Sequence, residues 1–142
     1  MIKLICIGKV KESYLREGIN EFTKRLTAFT RFEVLEIKDS DPEKEAKDIV
    51  NKIKNEKVFL LDERGKEYSS SEFSELLNKE IMNTKDIVFV LGGPSGLSLE
   101  LKRKYPSIAL SKMTFTHEMA RLIFIEQLYR AFTIMKNMKY HR

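Results

Sequence analysis

The chain has no tryptophan, one cysteine, two histidines, three prolines and six glycines in 142 residues. Each shortage removes a class of explanation. With a single thiol, Cys6, no internal disulfide can form. With only His117 and His141 beside it, a Cys/His zinc cage is excluded, and no metal is expected. Cys6 sits in the apolar run Ile5-Cys6-Ile7, where a buried, inert thiol is the ordinary outcome. No stretch approaches the roughly 20 apolar residues of a membrane-spanning helix. The opening MIKLICIGKVKE has an apolar run too short for a signal-peptide core, and no small-residue cleavage site follows it. The expectation is a soluble, cytoplasmic protein with no membrane partner.

What is present describes a folded protein. Hydrophobic residues make up 42% of the chain and charged residues 33%, a globular balance. The length suits one domain with a real core, so residues 1–142 are read as a single domain. The net charge of +5 tilts the partners toward polyanions, a weak signal by itself.

Along the chain, strand-like runs alternate with amphipathic helical stretches, the pattern of an α/β fold with a mostly parallel sheet flanked by helices. The strands are expected at Ile2–Ile7, Phe32–Ile37, Val58–Leu61, Ile87–Leu91 and, weakly, Ser107–Leu110. A helix is expected over Tyr14–Phe29, with Leu15, Ile19, Phe22 and Leu26 on one face. Another starts at Ser40-Asp41-Pro42-Glu43, with proline at a tolerated early position. Ser69-Ser70-Ser71-Glu72 has capping-box spacing before a helix over Phe73–Ile81. The last helix, about Thr116 to Lys136, carries Leu122-Ile123-Phe124-Ile125 in succession. At about 100° per residue these cover most of its circumference. Such a helix is either central in the fold or shared with a second copy, and a homodimer is the preferred expectation.

Three segments have the composition of a site. In VFVLGGPSGLS a strand runs into Gly92-Gly93-Pro94-Ser95-Gly96, where a backbone can approach a ligand closely. The spacing matches neither the dinucleotide nor the P-loop fingerprint, and a tight turn without a ligand is as good a reading. In LSKMTFTHEMAR, Leu110–Phe115 has neither strand nor helix period, and Thr116 is positioned to cap the helix that follows. His117 and Arg121 then share one helical face, where a solvated stripe is the simpler account. The third is IEQLYRAF with the tail NMKYHR, in which Glu126 and Arg130 are spaced as an ordinary surface ion pair. From Lys112 onward six cations stand against two carboxylates, so +4 of the net charge falls in the last quarter. Cations interleaved with tyrosine suit RNA phosphates and unstacked bases. An enzyme acting on nucleic acid and a non-catalytic RNA- or ribosome-binding module both remain open on these grounds.

The ordered combination LGGPSGL, LSKMTFTHEMARLIFIEQLYRAF and terminal YHR resembles the RlmH family of the SPOUT superfamily. The opening IGKVKESYLREGINEFTKRL resembles that family's first strand and helix, so the likeness spans nearly the whole chain. The resemblance implies a methyltransferase acting at N3 of a pseudouridine in large-subunit (23S) ribosomal RNA, on the assembled ribosome. It also implies a C-terminal trefoil knot and a homodimer. The cofactor would be S-adenosyl-L-methionine, held by Leu61, Gly92 and the loop Leu110, Ser111, Lys112, Met113, Thr114 and Phe115. Tyr140, His141 and Arg142 would form the catalytic group at the target base. His117, Arg121 and Arg130, with Tyr140 and Arg142, would face the RNA. Relatives often carry proline where Thr116 and Lys139 stand here, and this chain is shorter around Lys38–Lys57 and after Gly96.

The resemblance implies direct displacement at a methyl group, with positioning as the main source of acceleration. The imide proton of the base has to leave, and His141 is the side chain suited to take it near neutral pH, with solvent as the alternative. Arg142 or Arg130 would stabilise the charge that develops on the base.

Overall fold

A computed structural model describes residues 1–84 and 86–141. The strands β1 (Ile2–Ile7), β2 (Phe32–Ile37), β3 (Lys57–Glu67), β4 (Ile87–Leu91) and β5 (Ser107–Ala109) form one sheet. Its order is β2-β1-β4-β3-β5, and every pairing is parallel. The helices α1 (Ser13–Leu26), α2 (Pro42–Asn51), α3 (Ser70–Asn83), α4 (Leu99–Lys104) and α5 (His117–Met135) connect or follow them.

Burial on both faces explains the uninterrupted apolar strands. Leu4, Cys6, Phe59, Phe89 and Leu91 point to a core shared with α1, α3 and α5. Ile5, Ile7, Val58, Leu60, Val88 and Val90 point the other way, onto Ala46 and Ile49 of α2 and Leu101 of α4. Cys6 lies inside the first core, and burial pushes its thiol up to about 12, leaving it protonated and inert.

The capping residues act as the sequence requires. The Asp41 carboxylate accepts from the Lys44 amide at 2.9 Å ahead of Pro42. Ser69 and Glu72 exchange both bonds of a capping box. The Thr116 hydroxyl accepts from the Met119 amide. Helix α1 stops at Leu26, before the expected Phe29, and the short α4, capped by Ser98, was not expected at all.

Strand β3 runs six residues beyond the expected Leu61. Its partner β5 pairs Ile108 first with Leu61 and then with Lys66, so Asp62–Gly65 bulge outward between the two pairings. Gly65 is obligatory there, because a Cβ would lie 2.5 Å from the Ser107 carbonyl carbon.

Helix α5 lies between α1 and α3 on one face of the sheet. That central position accounts for much of its apolar circumference. Phe124 and Ile125 are buried, while Leu122 and Ile123 stay half-buried. Gly18 of α1 lets α5 approach closely, since a Cβ there would sit 3.0 Å from the Leu122 side chain.

Candidate functional site

Parallel strands place all their carboxyl ends on one edge of the sheet, and ligands collect there in open α/β folds. That edge holds a cavity of about 890 Å³, within the usual range for small-molecule sites. Three segments build most of its wall: the β3 bulge, the glycine loop after β4, and the loop after β5.

The glycine loop closes on itself through a 2.9 Å bond from the Gly96 amide to the Gly93 carbonyl. Gly96 has φ +75°, a conformation that side chains rarely adopt. Across the cavity, Leu110, Ser111, Met113, Thr114 and Phe115 line the opposite wall, with Leu61 at the end of the first part of β3. Gly92, directly after β4, lines the cavity as well. Seven of the eight expected cofactor contacts therefore converge on one cavity. Lys112 does not: its side chain is 84% exposed and pairs outward with Glu67 at 3.7 Å.

The wall holds more carboxylates than cations, although the chain as a whole carries +5. Glu12, Asp62, Glu63 and Glu118 face Arg64 and Lys102. Asp62 pairs with Lys102 at 3.3 Å, and Glu63 accepts a hydrogen bond from the Thr114 hydroxyl, which joins the β3 bulge to the loop after β5. Glu118 accepts from the backbone amides of Lys11 and Glu12, at 2.8 and 3.2 Å, and so ties the β1–α1 loop to the start of α5. Desolvation raises the Glu118 carboxyl, but those amides, with His117 and Lys11 nearby, bring it below the usual carboxylate range. Glu12, Asp62 and Glu63 did not stand out in the sequence. The signal for two of them was the charged run Asp62-Glu63-Arg64 directly after an apolar strand.

His117 lines the same cavity. Arg121, expected to face RNA beside it, is buried instead. Its guanidinium donates to Glu36 at 2.7 Å and to the Gly8 carbonyl at 3.1 Å, inside the protein. One helical turn is enough to separate the two roles, because Arg121 lies on the side that meets β2 and the β1–α1 loop.

The remaining expected residues gather at the other end of α5. Asn137 has φ 54°, and the Met138 amide reaches back to the Thr133 carbonyl at 2.9 Å, a Schellman closure that reverses the chain. The tail then runs back along the helix. Tyr140 stacks edge-on against Tyr129, with ring centroids 4.8 Å apart, and its hydroxyl donates to Glu126 at 2.9 Å. The Arg130 guanidinium donates to both Glu126 oxygens, at 3.3 and 3.0 Å, and lies 5.0 Å from the Tyr140 ring centre. His141 Nδ1 sits 3.0 Å from Arg130 Nη1. Burial, and then the bond to Glu126, push the Tyr140 phenol up, so it stays protonated. The Glu126–Arg130 pair is thus the anchor of the tail and more than a surface pair. Arg142 lies outside the described residues. From His117 to Arg130 the rise of α5 amounts to about 20 Å, and no described residue of the tail lines the cavity.

Among the described residues no helix is long and apolar enough to cross a membrane, and no cluster of metal-ligating side chains is present.

A family model described as "Predicted SPOUT methyltransferase" matches residues 1–141. Proteins named "Ribosomal RNA large subunit methyltransferase H" align along the full chain. The one from Caldicellulosiruptor saccharolyticus is 41% identical and covers 100% of both chains. That from Flavobacterium psychrophilum is 46% identical over 99% of this chain and 98% of its own. That from Streptococcus uberis is 40% identical over 99% of each.

Proposed function

Because the chain belongs to the SPOUT methyltransferase family, we propose that it uses S-adenosyl-L-methionine to methylate N3 of a pseudouridine in large-subunit ribosomal RNA. The single observation that supports this most is the convergence of Leu61, Gly92, Leu110, Ser111, Met113, Thr114 and Phe115 on one cavity at the carboxyl edge of the sheet. The residues fit the cofactor. Leu61, Leu91, Leu110 and Phe115 offer apolar surface for an adenine, the glycine loop offers backbone groups, and the surplus of carboxylates suits a ligand carrying a sulfonium and an ammonium.

When bound, the cofactor supplies an electrophilic methyl: the base nitrogen's electron pair, freed of its imide proton, forms the new carbon–nitrogen bond while the carbon–sulfur pair stays on sulfur. The protein's own part is positioning. The bulge and the loop after β5, joined by Glu63 and Thr114, hold the cavity walls together. Glu118 fixes the β1–α1 loop over its side. Tyr140, His141 and Arg142 meet the target base, with Arg130 holding the tail in place and His117 at the cavity.

The active protein is a homodimer, and the tail of one protomer lies against the cavity of the other. The roughly 20 Å along α5 between His117 and Arg130 supports this arrangement, as do the half-buried Leu122 and Ile123. The trefoil threading of the C-terminal segment and a cytoplasmic location belong to the same reading. Calorimetry with S-adenosyl-L-methionine, followed by mass mapping of nucleosides from ribosomes and from free 23S RNA, tests it. Cofactor-dependent methylpseudouridine is the expected product. Salt-sensitive RNA binding that ignores the cofactor would instead favour a non-catalytic RNA-binding module.

A further inference from the structure

We propose that Glu126 is a positioning residue which, through Arg130, fixes His141 as a neutral imidazole presenting its Nε2–H as a hydrogen-bond donor to the target base, so that His141 does not take the base's proton. The inference rests on the methyl-transfer reading above and assigns the tail its chemistry.

Geometry fixes the direction of the bond. A guanidinium has five N–H donors and no acceptor. Arg130 Nη1 lies 3.0 Å from His141 Nδ1, so Nδ1 is the acceptor. A ring with a lone pair at Nδ1 is neutral and carries its proton on Nε2. A second proton, at Nδ1, would face the N–H of a cation.

Arg130 is not free to turn away. Its Nε and Nη2 are both taken by Glu126, whose two oxygens also accept from Gln127 at 3.1 Å and from Tyr140 at 2.9 Å. Glu126 therefore has four donors and is itself unavailable as a base. The charged and titratable groups around the ring are Arg130 and Glu126 from α5, Tyr140 and Lys139 from the tail, and Arg25 of α1, whose guanidinium lies 5.6 Å from the Tyr129 ring centre. The nearest of them to the imidazole is the Arg130 cation. The phenol of Tyr140, pushed up by burial, keeps its single proton and directs it to Glu126.

The Nε2–H of His141 is thus the donor that these bonds leave free for the base. An imide nitrogen that loses its proton passes negative charge to the flanking carbonyl oxygens, which is where a fixed N–H is worth most. The proton itself goes to solvent.

Four measurements test this. The first needs neither cofactor nor RNA. Two-bond nitrogen–proton spectra of the imidazole rings, with His141 assigned by loss of its signals in His141→Gln, should show the Nε2–H tautomer at neutral pH. An imidazolium or the Nδ1–H tautomer would overturn the proposal. In Glu126→Gln, which puts an NH2 among the donors, the signals should move toward the free mixture of tautomers. An unchanged spectrum would remove Glu126 from the role.

The third is a single-turnover comparison. His141→Gln places an amide N–H where Nε2 stood and should retain transfer to within about tenfold, whereas His141→Leu should lose about a hundredfold, the size of one lost oxyanion donor. Equal loss in both would make His141 a base. The fourth sets the single-turnover pH profile of His141→Gln beside that of the unaltered protein: the two should have the same shape, and a limb lost together with the imidazole would make His141 a base. Absence of cofactor binding would sink the functional reading while leaving the tautomer result standing.

Discussion

The single residue that most changes its meaning in the folded chain is Arg121. The family resemblance implied a cation offered to RNA, and the spacing from His117 a solvated stripe, yet Arg121 is 3% exposed and anchored on Glu36 and Gly8. Its Nε has no partner among the described residues, which a mobile, RNA-seeking side chain would have no reason to tolerate. Arg121→Met should lower the unfolding free energy by about 1–3 kcal/mol, the scale of lost hydrogen bonds to a charged group, in urea titrations. The salt slope of rRNA binding should stay the same. A slope reduced by about one would return Arg121 to the RNA. His117, four residues earlier, keeps its expected place on the cavity. Helical spacing identified the shared face and could not identify which part of it would meet β2 and the β1–α1 loop.

Among the elements, the end of α5 determines whether the tail is frayed or built. A basic, aromatic ending ordinarily frays. Here Asn137 in the left-handed region turns the chain back, and Tyr129, Glu126 and Arg130 receive it. Asparagine tolerates that conformation and glycine prefers it, whereas a β-branched residue is strained there by about 1–2 kcal/mol. Asn137→Gly should therefore keep transfer and tail protection. Asn137→Val should speed trypsin cleavage near Lys136 and Lys139 and slow transfer, with cofactor affinity unchanged in calorimetry. Loss of cofactor affinity in Asn137→Val would mean the tail supports the cavity directly. The bulge of β3 is a second such element: its strand portion, Val58–Leu61, was legible from the apolar run, but Asp62–Gly65 were not, because only pairing with β5 creates them.

For the whole molecule, the separation of cavity and tail along α5 makes a definite demand on assembly. If the tail works against a partner's cavity, two different defects can complement each other. Phe115→Asp damages the cavity, and deletion of Tyr140–Arg142 removes the tail. Each homodimer should be inactive. After random mixing of subunits, heterodimers combining one intact cavity with the other chain's intact tail should restore about a quarter of the normal sites. No recovery in a mixture shown to contain heterodimers would place both parts of the site in one protomer. The deletion alone should leave cofactor affinity nearly intact.

The sequence by itself determined the alternation of strands and helices, the apolar strands of a mostly parallel sheet, the capping of α2, α3 and α5, and two of the segments that line the cavity, the glycine loop and the loop after β5. Those features are local: period, cap chemistry and glycine placement act over a few residues and survive any tertiary context. Only the tertiary structure decided that Arg121 is interior, that Lys112 leaves the loop, that carboxylates from three separate segments line the cavity, and that the tail is anchored at Glu126. Each of these joins residues far apart in the chain, and no periodicity records which distant backbone will cover a given side chain.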